Sequence, residues 1–96
     1  MMNVNLRLMS ILAVQAKVKP NELLSFELPE GATLADLLDA ADARIGEHLP
    51  RQTWNRETKR FHSQVSLLVN GRRAEDPSFP LQDGNTVMAM VAIAGG

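Results

Sequence analysis

The side chains with chemistry to offer are few in this sequence. His48 and His62 are its two histidines and it has no cysteine. Their separation matches no compact ligand motif and no thiolate completes a set, so both read as surface residues and no metal site is expected. Arg51, Arg56, Lys59 and Arg60 surround Trp54. Such a cationic stretch with an aromatic can stack on a base, or it is a solvated loop whose aromatic tucks against the core. Asp36, Asp39 and Asp42 recur every third residue, a spacing that keeps them near one another on a helix and reads as an exposed face. There is no Gly-rich phosphate loop, no nucleophile elbow and no acid–base pair, so catalysis by this chain alone is not expected. What remains is the final Gly95-Gly96. A frayed terminus tolerates small residues. In the other reading the α-carboxylate of Gly96 is the reacting group, carried on a stem slim enough to enter another protein.

Composition bounds the alternatives. With 96 residues and 45% hydrophobic side chains, the chain is expected to fold as one domain over residues 1–92, with residues 93–96 as a flexible tail. Its net charge of -1 supplies no field to recruit nucleic acid or an anionic membrane, so partners must be recognised locally. The lack of cysteine excludes a disulfide framework and fits a cytoplasmic location. Arg7 followed by "LMSILAV" mimics a short signal peptide. No cleavage site follows it cleanly, however, and the alternation of Val4, Leu6 and Leu8 is that of a strand. No apolar run is long enough to span a bilayer.

These groups must be positioned by a small set of elements. "NVNLRL" alternates Val4, Leu6 and Leu8 with polar residues and predicts a first strand with one wet face. After a polar break around "KVKPNE", Leu24, Phe26 and Leu28 predict a second strand, paired with the first. Leu34, Leu37, Leu38, Ala41 and Ile45 then share one face of a helix. Thr33 is its expected N-cap, Asp36 lies in its first turn, and Gly46 is expected to close it in the left-handed conformation. Residues 47–63 read as polar and irregular. Val65, Leu67 and Val69 resume the two-residue period. Asn70-Gly71 predicts a tight turn into a short edge strand over 72–75, and Val87, Ala89 and Val91 mark a last strand. The order implies an α+β fold: a mixed sheet of four to five strands with one main helix across one face and the first and last strands as central neighbours.

The same phase turns Leu68, Met88 and Met90 to the opposite side of the sheet. Either they form a partner surface, for which adaptable methionines suit, or the 47–63 segment covers them.

"ELPEGATLADLL", "LLVNGR", "PLQDGNTV" and "IAGG", in this order and at these separations, resemble the MoaD/ThiS family of ubiquitin-like sulfur carrier proteins. The resemblance implies a β-grasp fold and a non-catalytic carrier. An adenylating enzyme would use ATP to activate Gly96, which then becomes a thiocarboxylate, with Gly95 and Ala94 lining the narrow access path. No cofactor would be bound by the carrier itself. Its acceptor would be the large subunit of molybdopterin synthase or a thiazole synthase. The segment before Gly31 and "TLADLL" looks like the molybdopterin synthase small subunit, whereas "IAGG" looks like the thiamine-pathway carrier. Cysteine or tRNA-thiolation carriers, a ubiquitin-like modifier joined through Gly96 to lysines, and an inert interaction module with the same fold are the other readings.

Overall fold

The computed structural model describes residues 1–74 and 76–91. Strand β1 (Met2–Leu8) leads into a short helix α1 (Ile11–Gln15), then strand β2 (Leu23–Leu28), the main helix α2 (Leu34–Ile45) and a 3-10 turn (Gly46–His48). A small hairpin follows, β3 (Trp54–Asn55) with β4 (Arg60–Phe61), and then β5 (Val65–Val69), β6 (Arg72–Arg73) and β7 (Thr86–Val91). The main sheet has the order β2-β1-β7-β5-β6. All its pairings are antiparallel except the central one, β1 with β7, which is parallel. The first and last strands are thus central neighbours, as expected.

The two-residue alternation has its expected consequence. Val4, Leu6, Leu8, Leu24, Phe26, Leu28, Val65, Leu67, Val69, Val87 and Ala89 are buried on one face of the sheet, together with Leu34, Leu37, Leu38, Ala41 and Ile45 of α2. The helix begins where its exposed backbone donors find acceptors. Asp36 accepts from the Thr33 N–H at 2.8 Å and from its hydroxyl at 3.2 Å. The Leu34 and Ala35 N–H groups donate to the carbonyls of Phe79 and Pro77, each at 2.9 Å. That loop is held in turn by Asp76, whose carboxylate accepts from the Ser78 N–H and hydroxyl at 2.9 and 2.8 Å. These bonds hold the Asp76 carboxyl below its ordinary pKa. At the β2 edge, Arg44 donates to the Ser25 carbonyl at 2.7 Å and lies over the Phe26 ring, occupying part of an otherwise unpaired strand edge. Asn70 and Gly71 both have positive φ, 52° and 82°, as a two-residue hairpin turn requires.

Two expectations are corrected, and one element stands where none was expected. The stretch between the first strand and the polar break, to which the sequence assigns no element, contains α1, whose Leu12 and Ala13 are buried while Ile11 and Val14 are exposed. Five residues are too few for a helical period to show in the sequence. The 47–63 segment is not irregular: it holds the 3-10 turn and the β3–β4 hairpin. Gly46 is not left-handed, its φ being -57°, because the chain continues into the 3-10 turn. Glycine serves a different purpose there. A Cβ would overlap the Asp42 carboxylate and stand 3.2 Å from the Trp54 indole nitrogen. The edge strand expected over 72–75 is formed by Arg72 and Arg73, and Glu75 lies outside the described residues.

Candidate functional site

The face of the sheet away from α2 carries one continuous row of residues across all five strands. In register, Leu23 of β2 stands beside Arg7 of β1, Arg7 beside Met88 of β7, Met88 beside Leu68 of β5, and Leu68 beside Arg73 of β6. One row along, Ser66 is paired with Met90, and the Met9 N–H bonds the Ala89 carbonyl at 3.0 Å, extending β1 alongside the end of β7. Leu68 and Met88 are half-buried, Met90 is exposed and Leu23 is half exposed. Leu23, Arg7, Met88 and Leu68, with Asn70, Gly71 and Thr86, line a shallow depression of about 330 Å³. The neighbouring row is polar, with Ser25 donating to Asn5 at 2.8 Å. The apolar part is therefore a band at the end of the sheet where β7 finishes.

The 47–63 segment packs on the other side of the molecule. Trp54 is 1% exposed, donates its indole N–H to Asp42 Oδ1 of α2 at 2.8 Å, and meets the edge of the Phe61 ring with centroids 4.8 Å apart. Phe61 lies with Leu34, Leu38, Val65 and Leu67 along the helix side of β5. Of the two arrangements open to the sequence, the segment thus covers the helical layer and leaves Leu68, Met88 and Met90 uncovered by it. The buried indole also has no face free to stack on a base, so the cationic loop is a frame around a core aromatic. Arg56 donates to the carbonyls of Glu47 and Leu49 within that frame.

The other singled-out residues prove to have separate structural partners. Asp36 accepts at the start of α2, Asp39 pairs with Arg60 at 3.4 Å, and Asp42 holds Trp54. His48 lies 3.9 Å from Glu47, and His62 Nε2 is 2.8 Å from the Arg51 carbonyl oxygen. Ala94, Gly95 and Gly96, with the tail expected over 93–96, lie outside the described residues. What is described is their root. Strand β7 is paired with β1 through Ala89 and with β5 through Val91, which stands directly opposite Val65.

Sequence reasoning named Leu68, Met88 and Met90 but missed Arg7, Leu23 and Met9 as members of the same face. The signal was available for Arg7, which alternates with the buried Leu6 and Leu8. What was missing was the β1–β7 register that sets Arg7 beside Met88.

The family model described as the ThiS family matches residues 11–96. A comparison with curated proteins finds no significant match. Among solved structures, the chain is similar to SAMP1 from Haloferax volcanii, at a TM-score of 0.78 and 19% identity, covering 98% of this chain and 99% of that one. It is also similar to a putative molybdopterin converting factor subunit 1 from Pyrococcus furiosus, at a TM-score of 0.70 and 21% identity, covering 97% and 100%. A chain of the BexX/CysO complex of Amycolatopsis orientalis gives 0.65 and 23%, covering 97% and 99%. At these identities the structures establish a fold, and it is the ubiquitin-like β-grasp. No helix among the described residues is long and apolar enough to cross a membrane.

Proposed function

This chain belongs to the ThiS family of small ubiquitin-like carrier proteins, and on that footing we propose that Gly96 is its working end. A partner enzyme adenylates the Gly96 carboxylate with ATP, releasing pyrophosphate. Sulfide delivered by a donor then attacks the acyl carbon, AMP leaves, and a thiocarboxylate remains. A carboxylate is a poor electrophile until it carries such a leaving group, and all of that chemistry belongs to the partner. The carrier supplies a reachable terminus and a surface to be held by. Gly95 and Ala94 keep the approach slim, and glycine permits backbone conformations closed to other residues in a tight channel.

The observation that carries this reading is the extent of the family match, which runs through the "IAGG" ending to residue 96. The geometry supports it in two ways. Strand β7 is paired with β1 as far as Ala89 and with β5 as far as Val91, which gives the terminus a fixed base. The apolar band of Leu68, Met88 and Met90 lies on the strands nearest that base and serves as the docking face for the activating and accepting enzymes.

For the acceptor, the favoured reading is the large subunit of a molybdopterin synthase in the cytoplasm. The likeness to the putative molybdopterin converting factor subunit 1 from Pyrococcus furiosus supports it, as does the sequence before and into α2. To test it, the thiocarboxylated chain is mixed with a molybdopterin synthase large subunit and its substrate, or with a thiazole synthase and its substrates. Sulfur transfer, with return of Gly96 to a carboxylate, is expected in the first mixture only. Transfer in the second alone would move the chain to thiamine synthesis. Gly96 joined to lysines of other proteins in a cell extract would make it a modifier.

A further inference from the structure

We propose that Arg7 is the charged anchor of the docking face, and that the surface receiving this carrier presents a carboxylate to it from within an apolar patch. The proposal rests on the reading of the open sheet face as the docking face, and it specifies the chemistry of whatever docks there.

Arg7 is in the interior of the sheet, on β1 between β2 and β7, where an outward side chain is ringed by neighbours. Those neighbours are Leu23 and Met88 in its own row, with Leu68 one strand further. Among the described residues, no acidic side chain lines the depression they share. The ion pairs of Asp39 with Arg60 and of Glu47 with His48 lie elsewhere. Arg7 Nη2 donates to Asn21 Oδ1 at 2.8 Å, which holds the guanidinium over the row. Its Nε is buried and meets no acceptor among the described residues.

A guanidinium set beside apolar side chains, with no acidic group among the described residues lining their depression, is a costly arrangement for a face that had only to be wet. It suits a face that is completed by another molecule. A carboxylate can take two parallel N–H bonds from one guanidinium, which adds direction as well as attraction. With Leu23, Met88 and Leu68 around it, the matching group is an aspartate or glutamate flanked by aliphatic side chains. Apolar contact alone would let many surfaces dock; a required carboxylate rejects those that would leave Arg7 desolvated and unpaired.

The test uses the whole chain and a defined probe. The protein, labelled with ¹⁵N and with ¹³C at its methionine methyls, is titrated with N-acetyl-Leu-Asp-Leu-amide and separately with its Asn counterpart. The expected result is a saturable shift of the Arg7 Nε–H and the Met88 methyl with the aspartyl peptide. Binding of the asparaginyl peptide should be at least about tenfold weaker. Arg7→Gln should lose the Met88 methyl shift at unchanged thermal stability, and Arg7→Lys should keep part of it. Equal shifts with both peptides, or shifts that survive in Arg7→Gln, would overturn the proposal. With an activating enzyme that loads Gly96, Arg7→Gln should raise KM for the carrier about tenfold and leave kcat unchanged. An unchanged KM would overturn it too. If no enzyme loads Gly96, the carrier reading fails, while the peptide titration still decides the role of Arg7.

Discussion

Trp54 and Asp42 are joined by a hydrogen bond of 2.8 Å from the indole N–H to a carboxylate oxygen, and Gly46 lies against both partners. The bond ties the β3–β4 hairpin to α2 and so decides which side of the sheet the 47–63 segment occupies. Removing the acceptor leaves a buried donor unsatisfied, so Asp42→Ala should cost about 1–3 kcal/mol. For a domain of this size each kcal/mol lowers Tm by about 4–8 °C. Calorimetry of the variant checks it.

Gly46→Ala gives a sharper reading of the same contact. Its backbone, with φ -57°, is one that alanine adopts freely, so conformational entropy alone would make the change stabilising by about 0.4–1 kcal/mol. The Cβ would instead collide with Asp42 and crowd Trp54, and overpacking of this kind costs about 1–3 kcal/mol. A lowered Tm is expected. A raised one would show that the indole–carboxylate contact yields easily.

Met88→Lys separates docking from folding. Met88 is half-buried on the face away from the core, and a lysine there can lift its charge into water. Thermal stability should change little, whereas affinity for the activating enzyme should fall, since the new cation stands beside Arg7 in the docking row. A large loss of stability in the isolated chain would mean that this position is packed as core.

Asp76 carries a pH-dependent prediction. Its bonds to Ser78 favour the carboxylate, so its pKa is lower in the folded chain than in the unfolded one. The contribution is fully present above the ordinary carboxylate range and is lost as pH falls through the depressed folded value. NMR titration should give a midpoint for Asp76 below the ordinary carboxylate value. Loss of the Leu34 and Ala35 amide protection at the start of α2 should follow that midpoint, because Pro77 and Phe79 accept those two bonds.

How far the sequence alone reached follows from the range of each signal. Strand phase and helix face are repeated over several residues, so the periodicity alone is enough to place Leu6, Leu38 and Val87 in the core. The Asn70-Gly71 turn was legible because few residue pairs tolerate two positive φ values. α1 was hidden by its shortness, and the β3–β4 hairpin by two-residue strands whose stability comes from one tryptophan reaching α2. Gly46 was misread because a glycine after a helix has a common explanation, left-handed backbone, whereas here the cause is a side chain from a distant segment. Of the docking face, alternation exposed Leu68, Met88 and Met90. Arg7 joined them only once the parallel pairing of β1 with β7 was known.

The tail variants address the geometry of activation. Gly95→Val leaves the carboxylate in place but adds a branched side chain inside a channel fitted to none, and one extra residue after Gly96 moves the carboxylate past the activating phosphate. Misplacement on that scale costs orders of magnitude in rate. Both variants should fold as the parent does and resist activation in single-turnover assays with ATP. Conversion of either at the parent rate would favour an inert interaction module with this fold.

The central claim is that Gly96 carries the sulfur. The most direct measurement is intact mass, followed by fragmentation of the C-terminal peptide, after incubation with ATP, a sulfur donor and the activating enzyme. The account predicts replacement of one oxygen by sulfur on Gly96 and none when Gly96 is deleted. Unchanged mass with an enzyme that activates other members of the family, or sulfur found at any other residue, would contradict it.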